Sequence, residues 1–147
     1  MKAFWRARKA DPGEQDPEAA LSLGTRLAGE GDIEGAREAY RQAANSGHPE
    51  YAPVAARNLG HLNARLHRQR QAYEAYQAAI DSRHPDVAPR AMVDLGNLIS
   101  TSLYPENARP LYQRAIDSGH PEAAPEAARR LARLPGPPGG TVRPARS

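Results

Sequence analysis

The chain has 147 residues, with 20 lysines and arginines against 17 acidic residues, and its formal net charge is +3. It contains no cysteine, so disulfide bonds and thiolate metal sites are excluded. The sequence has no long apolar stretch, so we expect neither a signal peptide nor a membrane span. We predict a cytoplasmic protein of one domain.

The two ends of the chain differ from its middle. Residues 1–15 combine a proline–glycine pair with mixed charges, which predicts a mobile tail. Phe4 and Trp5 stand there among four cations. This pattern fits a weak anchor for a membrane surface or an acidic partner, or aromatics that pack on the first helix or stay exposed. Residues 135–147 are rich in proline and glycine, and we expect them to be disordered.

Between these ends, apolar residues recur with helical spacing and are interrupted by turn residues. Asp16 before Pro17 is a typical helix start, and Asp32 is expected to cap the next helix. Pro110 interrupts a later helix, which therefore must kink or start late, with Asn107 as a candidate N-cap. The predicted helices cover about 16–28, 32–45, 50–66, 69–82, 86–102, 105–118 and 122–134.

The turns between these helices also follow a pattern. Gly47 suits the left-handed position after a helix end. Arg68 and Tyr104 replace a capping aspartate, so the turns before their helices are less well specified. Three histidines precede a proline at equivalent places and are expected to cap the following helices: His48, His84 and His120.

One stretch returns twice along the chain. Ala36–Gly60 is followed by a close copy at Ala72–Gly96 and a second at Ala108–Ala132, each shifted by 36 residues without insertion or deletion. A fixed period between 20 and 50 residues indicates an array of stacked repeats. Such arrays bury a continuous core only by stacking, so the fold class is predicted before any single motif is considered.

The repeated residues resemble the tetratricopeptide repeat, in a variant 36-residue unit with some Sel1-like character. Each unit has a Leu-Gly pair in its first helix and a small–aromatic–small series in its second. The pairs are Leu23-Gly24, Leu59-Gly60 and Leu95-Gly96, and the series are Ala36/Tyr40/Ala43, Ala72/Tyr76/Ala79 and Ala108/Tyr112/Ala115.

The resemblance implies an all-α fold, a right-handed solenoid of helical hairpins. Its domain would span residues 16–134, with three units at about 16–51, 52–87 and 88–123 and a C-terminal capping helix at 124–134. The family's bulky aromatic early in the first helix is replaced by a smaller side chain here.

The same resemblance implies a protein–protein interaction scaffold whose concave face, formed by the first helices, binds a partner peptide or helix. Arginines on that face suit carboxylates, so acidic partners are included; the other interpretation is an ordinary solvated face. Leu21 and Asp94 occupy positions where a full carboxylate clamp needs cations, which argues against chaperone-tail binding. The predicted partner-binding residues are Arg57, His61, Arg65, Arg90, Asn97, Arg129 and Arg133, with Glu18, Thr25, Val54 and Val93 on the same face.

Other function classes have less support. The Ser-x-His triplets that end at His48, His84 and His120 occur once per unit, whereas an active site is singular, so we expect no catalytic residue. Equivalent helices lie about 8–10 Å apart, too far for these histidines to share a metal, and we expect no cofactor. A nucleic-acid-binding helical array is the alternative function, although the equivalent residues Leu21, Arg57 and Val93 share no chemistry. Dimerisation stays open.

Overall fold

A computed structural model describes residues 16–136 of the chain. The expectations for the N-terminal tail and for most of the C-terminal tail lie outside these residues. Seven α-helices and one 3₁₀ helix make up the described part, which contains no strand. They are α1 (Pro17–Glu30), α2 (Ile33–Ala44), α3 (Tyr51–Arg65), α4 (Gln69–Asp81), α5 (Val87–Ser100), the 3₁₀ helix Pro105–Ala108, α6 (Arg109–Asp117) and α7 (Ala123–Arg133).

The helix starts follow the predicted caps in the first unit. The Asp16 carboxylate accepts hydrogen bonds from the backbone N–H groups of Glu18 and Ala19, and Asp32 accepts one from Gly35 at 2.9 Å. These bonds satisfy donors that a helix leaves without intrahelical partners. No side chain caps α4, which follows Arg68, as the sequence predicts.

Two helix boundaries differ from the sequence-based prediction. α1 continues to Glu30, because the left-handed turn is made by Gly31, with φ of 86°, and not by Gly29. The sixth helix starts late, which is one of the two outcomes that Pro110 predicts: it begins at Arg109, so Pro110 lies in its first turn, where a missing N–H breaks no helical hydrogen bond. Asn107 is not the N-cap of α6, because Asn107 lies within the separate 3₁₀ helix Pro105–Ala108.

The serine–histidine turns between units are structural elements. Each serine hydroxyl donates to the carbonyl three residues earlier at 2.6 Å, and it accepts from the backbone N–H of the histidine. Each histidine Nδ1 then accepts from the two backbone N–H groups that open the next helix. The capping role predicted for His48, His84 and His120 is therefore confirmed.

A glycine–tyrosine contact holds each hairpin together. A Cβ atom on Gly60 would lie 2.5 Å from the Tyr76 ring, and Gly24 and Gly96 stand in the same relation to Tyr40 and Tyr112. The absence of a side chain at this glycine of the first helix is thus what lets the tyrosine ring of the second helix approach so closely. This contact explains why the Leu-Gly pair and the tyrosine recur together.

The apolar core consists of several clusters of buried residues, which partly buried side chains such as Ala44 and Met92 connect. Its central cluster includes Tyr76, Ala79 and Ile80 of the second unit together with Val87 and Leu95 of the third, all at most 4% exposed. A further cluster joins the third unit to α7 around Tyr112. Because alanine supplies most of the buried contacts, the helices approach closely, as a stacked repeat requires.

Candidate functional site

The first helices of the units form the inner face of the stack. α1 contacts α3, α3 contacts α5, and α5 contacts α7, whereas no comparable contact joins α2 to α4 or α4 to α6 among the described helices. Closer spacing of the first helices curves the stack toward them. Their exposed side is therefore the concave face on which the sequence places the candidate residues.

A cleft of about 270 Å³ lies on this face between α3, α5 and α7. Its apolar residues are Val93 and Ala123, and its remaining lining is charged or polar. Arg57, Arg90 and Asn97, three of the predicted binding residues, meet in it. The complete lining is Arg57, Arg90, Val93, Asp94, Asn97, Glu122, Ala123 and Glu126.

An ion pair joins α3 to α5 at one end of the cleft. Arg57 Nε lies 2.5 Å from Asp94 Oδ2, and the two side chains are only 29% and 15% exposed. His61 Nε2 lies 3.5 Å from the same carboxylate oxygen. Asp94 thus holds two basic side chains of the neighbouring unit, and partial burial strengthens these interactions relative to a fully solvated pair.

His61 also belongs to the packing of its own hairpin. Its Nδ1 lies 3.0 Å from the hydroxyl of Tyr76. Burial lowers the pKa of His61, and Arg57 lowers it further, while Asp94 acts in the opposite direction. Neutral histidine can accept from the tyrosine at Nδ1 and donate to Asp94 at Nε2, so the neutral form suits both contacts.

The residue equivalent to His61 pairs with the tyrosine in every unit. Thr25 Oγ1 lies 3.2 Å from the Tyr40 hydroxyl, and Asn97 Oδ1 accepts from the Tyr112 hydroxyl at 2.8 Å. Asn97 and His61, which the sequence proposes as partner-binding residues, therefore also orient the repeated tyrosine ring. Since this bond uses the side-chain oxygen of Asn97, the NH2 group of the amide retains its two donors.

A second group of charges lies at the other end of the cleft. Arg90 Nε is 3.1 Å from Asp86 Oδ1, and its Nη1 is 2.8 Å from Glu122 Oε2 on the loop before α7. Asp86 also lies 2.9 Å from His120 Nε2. The hydrogen bonds from His120 and then Arg90 hold the pKa of Asp86 below its ordinary value.

The remaining predicted residues do not line the cleft. Arg129 donates to Glu126 at 2.6 Å, and together with Arg130, whose effect is larger, it lowers the pKa of Glu126. Arg65 and Arg133 are exposed and form no ion pair within residues 16–136. Their part in partner binding stays a prediction.

The site predicted from the sequence does not include the acidic residues that line the cleft. From the sequence, Asp94 is expected only to interrupt a carboxylate clamp, and no role is predicted for Glu122 or Glu126. The sequence did contain a signal for this pair. Asp94 follows Arg57 by 37 residues, one more than the repeat period, which places the two residues near each other on neighbouring first helices. The cleft consequently carries paired charges of both signs, where the sequence predicts a surface rich in arginine.

A larger depression, of about 530 Å³, lies on the outer face between α4 and α6. Its lining includes Tyr73, which is 47% exposed, together with Leu111 and Pro110. It contains a single cationic side chain, Arg114, so it differs from the concave cleft in chemistry as well as in position.

Within residues 16–136 no three histidine or acidic side chains approach closely enough to hold a metal ion. No described helix is both long and apolar enough to cross a membrane.

Comparison with known proteins supports the fold. No family model matches the chain, and no curated protein matches it. A solved structure titled "Crystal structure of MamA", a helical-repeat protein, superposes with a TM-score of 0.60, at 21% sequence identity. The match covers 89% of this chain and 82% of that one. The chain is therefore an all-α helical-repeat protein with a tetratricopeptide-like fold.

Proposed function

We propose that this protein is a non-enzymatic interaction scaffold that binds a peptide segment of another protein in the concave cleft. The observation that carries the proposal is the convergence of Arg57, Arg90 and Asn97 from two neighbouring first helices on one cleft. A few fixed polar groups around an apolar patch are what peptide and ligand sites commonly present.

An acidic side chain of the partner would bind at Arg90. Its present partner Glu122 is 70% exposed, and such an exposed ion pair contributes only about 0–1 kcal/mol. A carboxylate of the bound peptide can replace Glu122 at little cost and form a paired, planar contact with the guanidinium. Asp86 holds the arginine in place from the other side, at 3.1 Å.

The main chain of the partner would be recognised by Asn97. Its Oδ1 is held by the Tyr112 hydroxyl, so the amide nitrogen is left to donate to a peptide carbonyl. Val93 supplies an apolar contact between Asn97 and Arg90. We therefore expect a short, extended peptide with one acidic residue next to small apolar ones.

The same charges disfavour nucleic acid as the ligand. A phosphate backbone needs many cations along one track. Here Asp94, Glu122 and Glu126 line the cleft beside the arginines, so a phosphate chain would meet three carboxylates in it.

A random-peptide display selection against the immobilised wild-type protein tests the proposal. We expect enriched sequences to contain Asp or Glu, and Arg90→Ala to weaken the best of them at least about tenfold, as loss of a charged hydrogen-bonded contact of about 1.4 kcal/mol or more implies. The matched control is Arg70→Ala. Arg70 lies on α4, is 89% exposed and pairs with Glu74 four residues away, as Arg90 pairs with Asp86.

Circular dichroism on both variants checks that the helices are intact. Equal affinity of the selected peptides for the wild type and for Arg90→Ala would contradict binding in the cleft. Binding of random single-stranded oligonucleotides that persists at moderate salt would instead favour the nucleic-acid alternative.

A further inference from the structure

The outer side of the stack carries two equivalent clefts, each between consecutive second helices. One is the depression of about 530 Å³ between α4 and α6. The other, of about 350 Å³, lies between α2 and α4, and most residues of the first cleft have their 36-residue equivalents in it. Its lining includes Arg37 and Asn63. The α4–α6 depression has Tyr73 and Ile99 at these two positions, so the same architecture presents different chemistry in each cleft.

Asn63 departs from its equivalents in a way that costs stability. It is 3% exposed, and it is the one buried polar residue among those that the structure describes. Its Oδ1 has no hydrogen-bond partner within residues 16–136. Leu27 and Ile99, at the same position in α1 and α5, pack against the apolar core. Since a buried acceptor without a partner is unfavourable, an apolar residue would serve the fold better at this position.

Arg37 presents the complementary atom in the same cleft. Its Nη1 is buried and donates no hydrogen bond to any residue of the described part. Glu34 Oε2 lies 2.9 Å from this nitrogen but out of line with its N–H bonds, so the ion pair leaves the donors unused. The α2–α4 cleft thus contains one unused donor and one unused acceptor, both held by packed side chains.

The other charges of this cleft are neutralised in pairs. Arg41 contacts Glu38 three residues earlier, and Glu74 lies 3.0 Å from Arg70 on the same helix. Arg37 is balanced by Glu34 in the same way. A ligand that carries a net charge would therefore have to displace an existing ion pair, whereas a neutral polar ligand would not.

The two unused atoms select among the neutral and charged groups that proteins bind. A carboxylate would accept from Arg37 but would meet Asn63 Oδ1 with a second acceptor. An ammonium group would donate to Asn63 but offer nothing to Arg37. A carboxamide carries an acceptor and donors side by side, so it matches both atoms.

We propose that the cleft between α2 and α4 binds a primary carboxamide, such as the end of a glutamine or asparagine side chain. The ligand carbonyl accepts from Arg37 Nη1, and its NH2 group donates to Asn63 Oδ1. Leu59 and Ala75, which also line the cleft, contact the methylene groups next to the amide. This site shares no lining residue with the concave cleft, so the two sites can be tested separately.

The experiment follows the amide signals of the full chain by NMR while propionamide is added. Propionate and propylammonium serve as charged molecules of matched size. We expect propionamide to shift the side-chain signals of Asn63 and Arg37 at millimolar concentration, as suits so small a ligand, and the charged molecules to leave them unchanged. Residues around Tyr73 and Ile99, in the equivalent depression, should not respond.

Two variants separate binding from folding. Asn63→Leu copies Leu27 of the first unit, and we expect it to raise the Tm while weakening propionamide binding by about tenfold or more. Gln71→Ala is the matched control, because Gln71 lines the same cleft but is exposed, and it should change neither property. Free glutamine and a capped glutamine peptide then distinguish a small molecule from a side chain of a partner, and binding of either supports the site.

Three results would overturn the inference. Unchanged signals with propionamide would mean that the cleft binds no carboxamide. Stronger binding of propionate would mean that both polar atoms act as donors. A lower Tm for Asn63→Leu would mean that the asparagine serves the fold and not a ligand.

Discussion

The buried layer and the concave face of this protein are built from the same helices but follow opposite rules. In the buried layer every unit repeats the same contact, in which a glycine packs against a tyrosine ring. A Cβ atom added to that glycine would lie about 2.5 Å from the ring. On the concave face the equivalent residues Leu21, Arg57 and Val93 differ in chemistry. Repetition therefore marks residues that determine the fold, and variation marks those that can determine a partner.

The tyrosine hydroxyls connect the two regions. Each pairs with a residue on the first helix, which is Thr25, His61 or Asn97 according to the unit. The pairing position repeats while its side chain varies. One residue can thus orient the repeated ring and still present different chemistry at the cleft.

The largest effect is expected from removing a repeated ring. Tyr76 is 3% exposed and belongs to the central core cluster, so Tyr76→Ala should reduce the free energy of unfolding by about 3 kcal/mol. Tyr73, in the same helix, is 47% exposed, and Tyr73→Ala should change the stability by less than about 0.5 kcal/mol. Urea unfolding measures both. Similar values for the two variants would mean that the stacking is misassigned.

A single methyl group tests the other half of this contact. Gly60→Ala places a Cβ 2.5 Å from the Tyr76 ring, and we expect a loss of about 1–3 kcal/mol despite the better helix propensity of alanine. Gly29→Ala is the control, because a Cβ there would meet no packed neighbour within 4 Å beyond its own stretch of helix. That variant should be neutral or stabilising by up to about 1 kcal/mol. A stabilising Gly60→Ala would refute the close approach.

A smaller effect is expected where one unit departs from the repeat. Arg83 has φ of 57°, whereas the equivalent Gly47 and Gly119 have φ of 73° and 66°. The left-handed conformation disfavours a side chain, so Arg83→Gly should stabilise the protein by about 1 kcal/mol. Arg83→Ala keeps the Cβ and should give no such gain in the same thermal unfolding measurement. Equal Tm values for the two variants would count against this strain.

The smallest effect is a pH dependence that comes from the concave face. Burial lowers the pKa of His61 below its ordinary value of 6.5, so the unfolded chain binds more protons just below that pH. The stability contributed by neutral His61 is present above pH 6.5 and is lost as the pH falls. His61→Asn copies Asn97 of the next unit, and it should retain the tyrosine contact while losing this part of the pH dependence.

Urea unfolding at several values between pH 7.5 and 5 makes the comparison. The other histidines are common to both proteins, so only the difference between the two curves matters. The lowered pKa values of Asp86 and Glu126 act at more acidic pH, where their stabilisation is lost as these carboxylates protonate. Parallel curves for wild type and His61→Asn would contradict the assigned environment of His61.

Most of the fold was predictable from the sequence, because the repeat period and the Leu-Gly and tyrosine positions depend only on local spacing. The helix boundaries that were predicted wrongly lie where two local signals compete. Gly29 and Gly31 both suit a helix end, and only Gly31 takes the left-handed turn. Asn107 resembles a cap, but Pro110 in the first turn of α6 fixes a later start.

Much less of the site was predictable. Arg57 and Asp94 come together only because two first helices pack side by side, and Glu122 reaches Arg90 from a loop. Such pairs depend on the offset between neighbouring helices, which a single sequence does not specify. The arginines could therefore be assigned to the first helices, and the spacing of Arg57 and Asp94 indicated one ion pair, but the contact of Arg90 with Glu122 could not be foreseen.

The most direct test of the account is an amide chemical-shift map of the wild-type protein with its best library-selected peptide. We predict that the perturbed residues lie on α3, α5 and the start of α7 around Val93 and Asn97, with little change along the outer faces of α4 and α6. Perturbations that cluster instead around Tyr73 and Leu111 would place binding on the outer face and contradict the proposal.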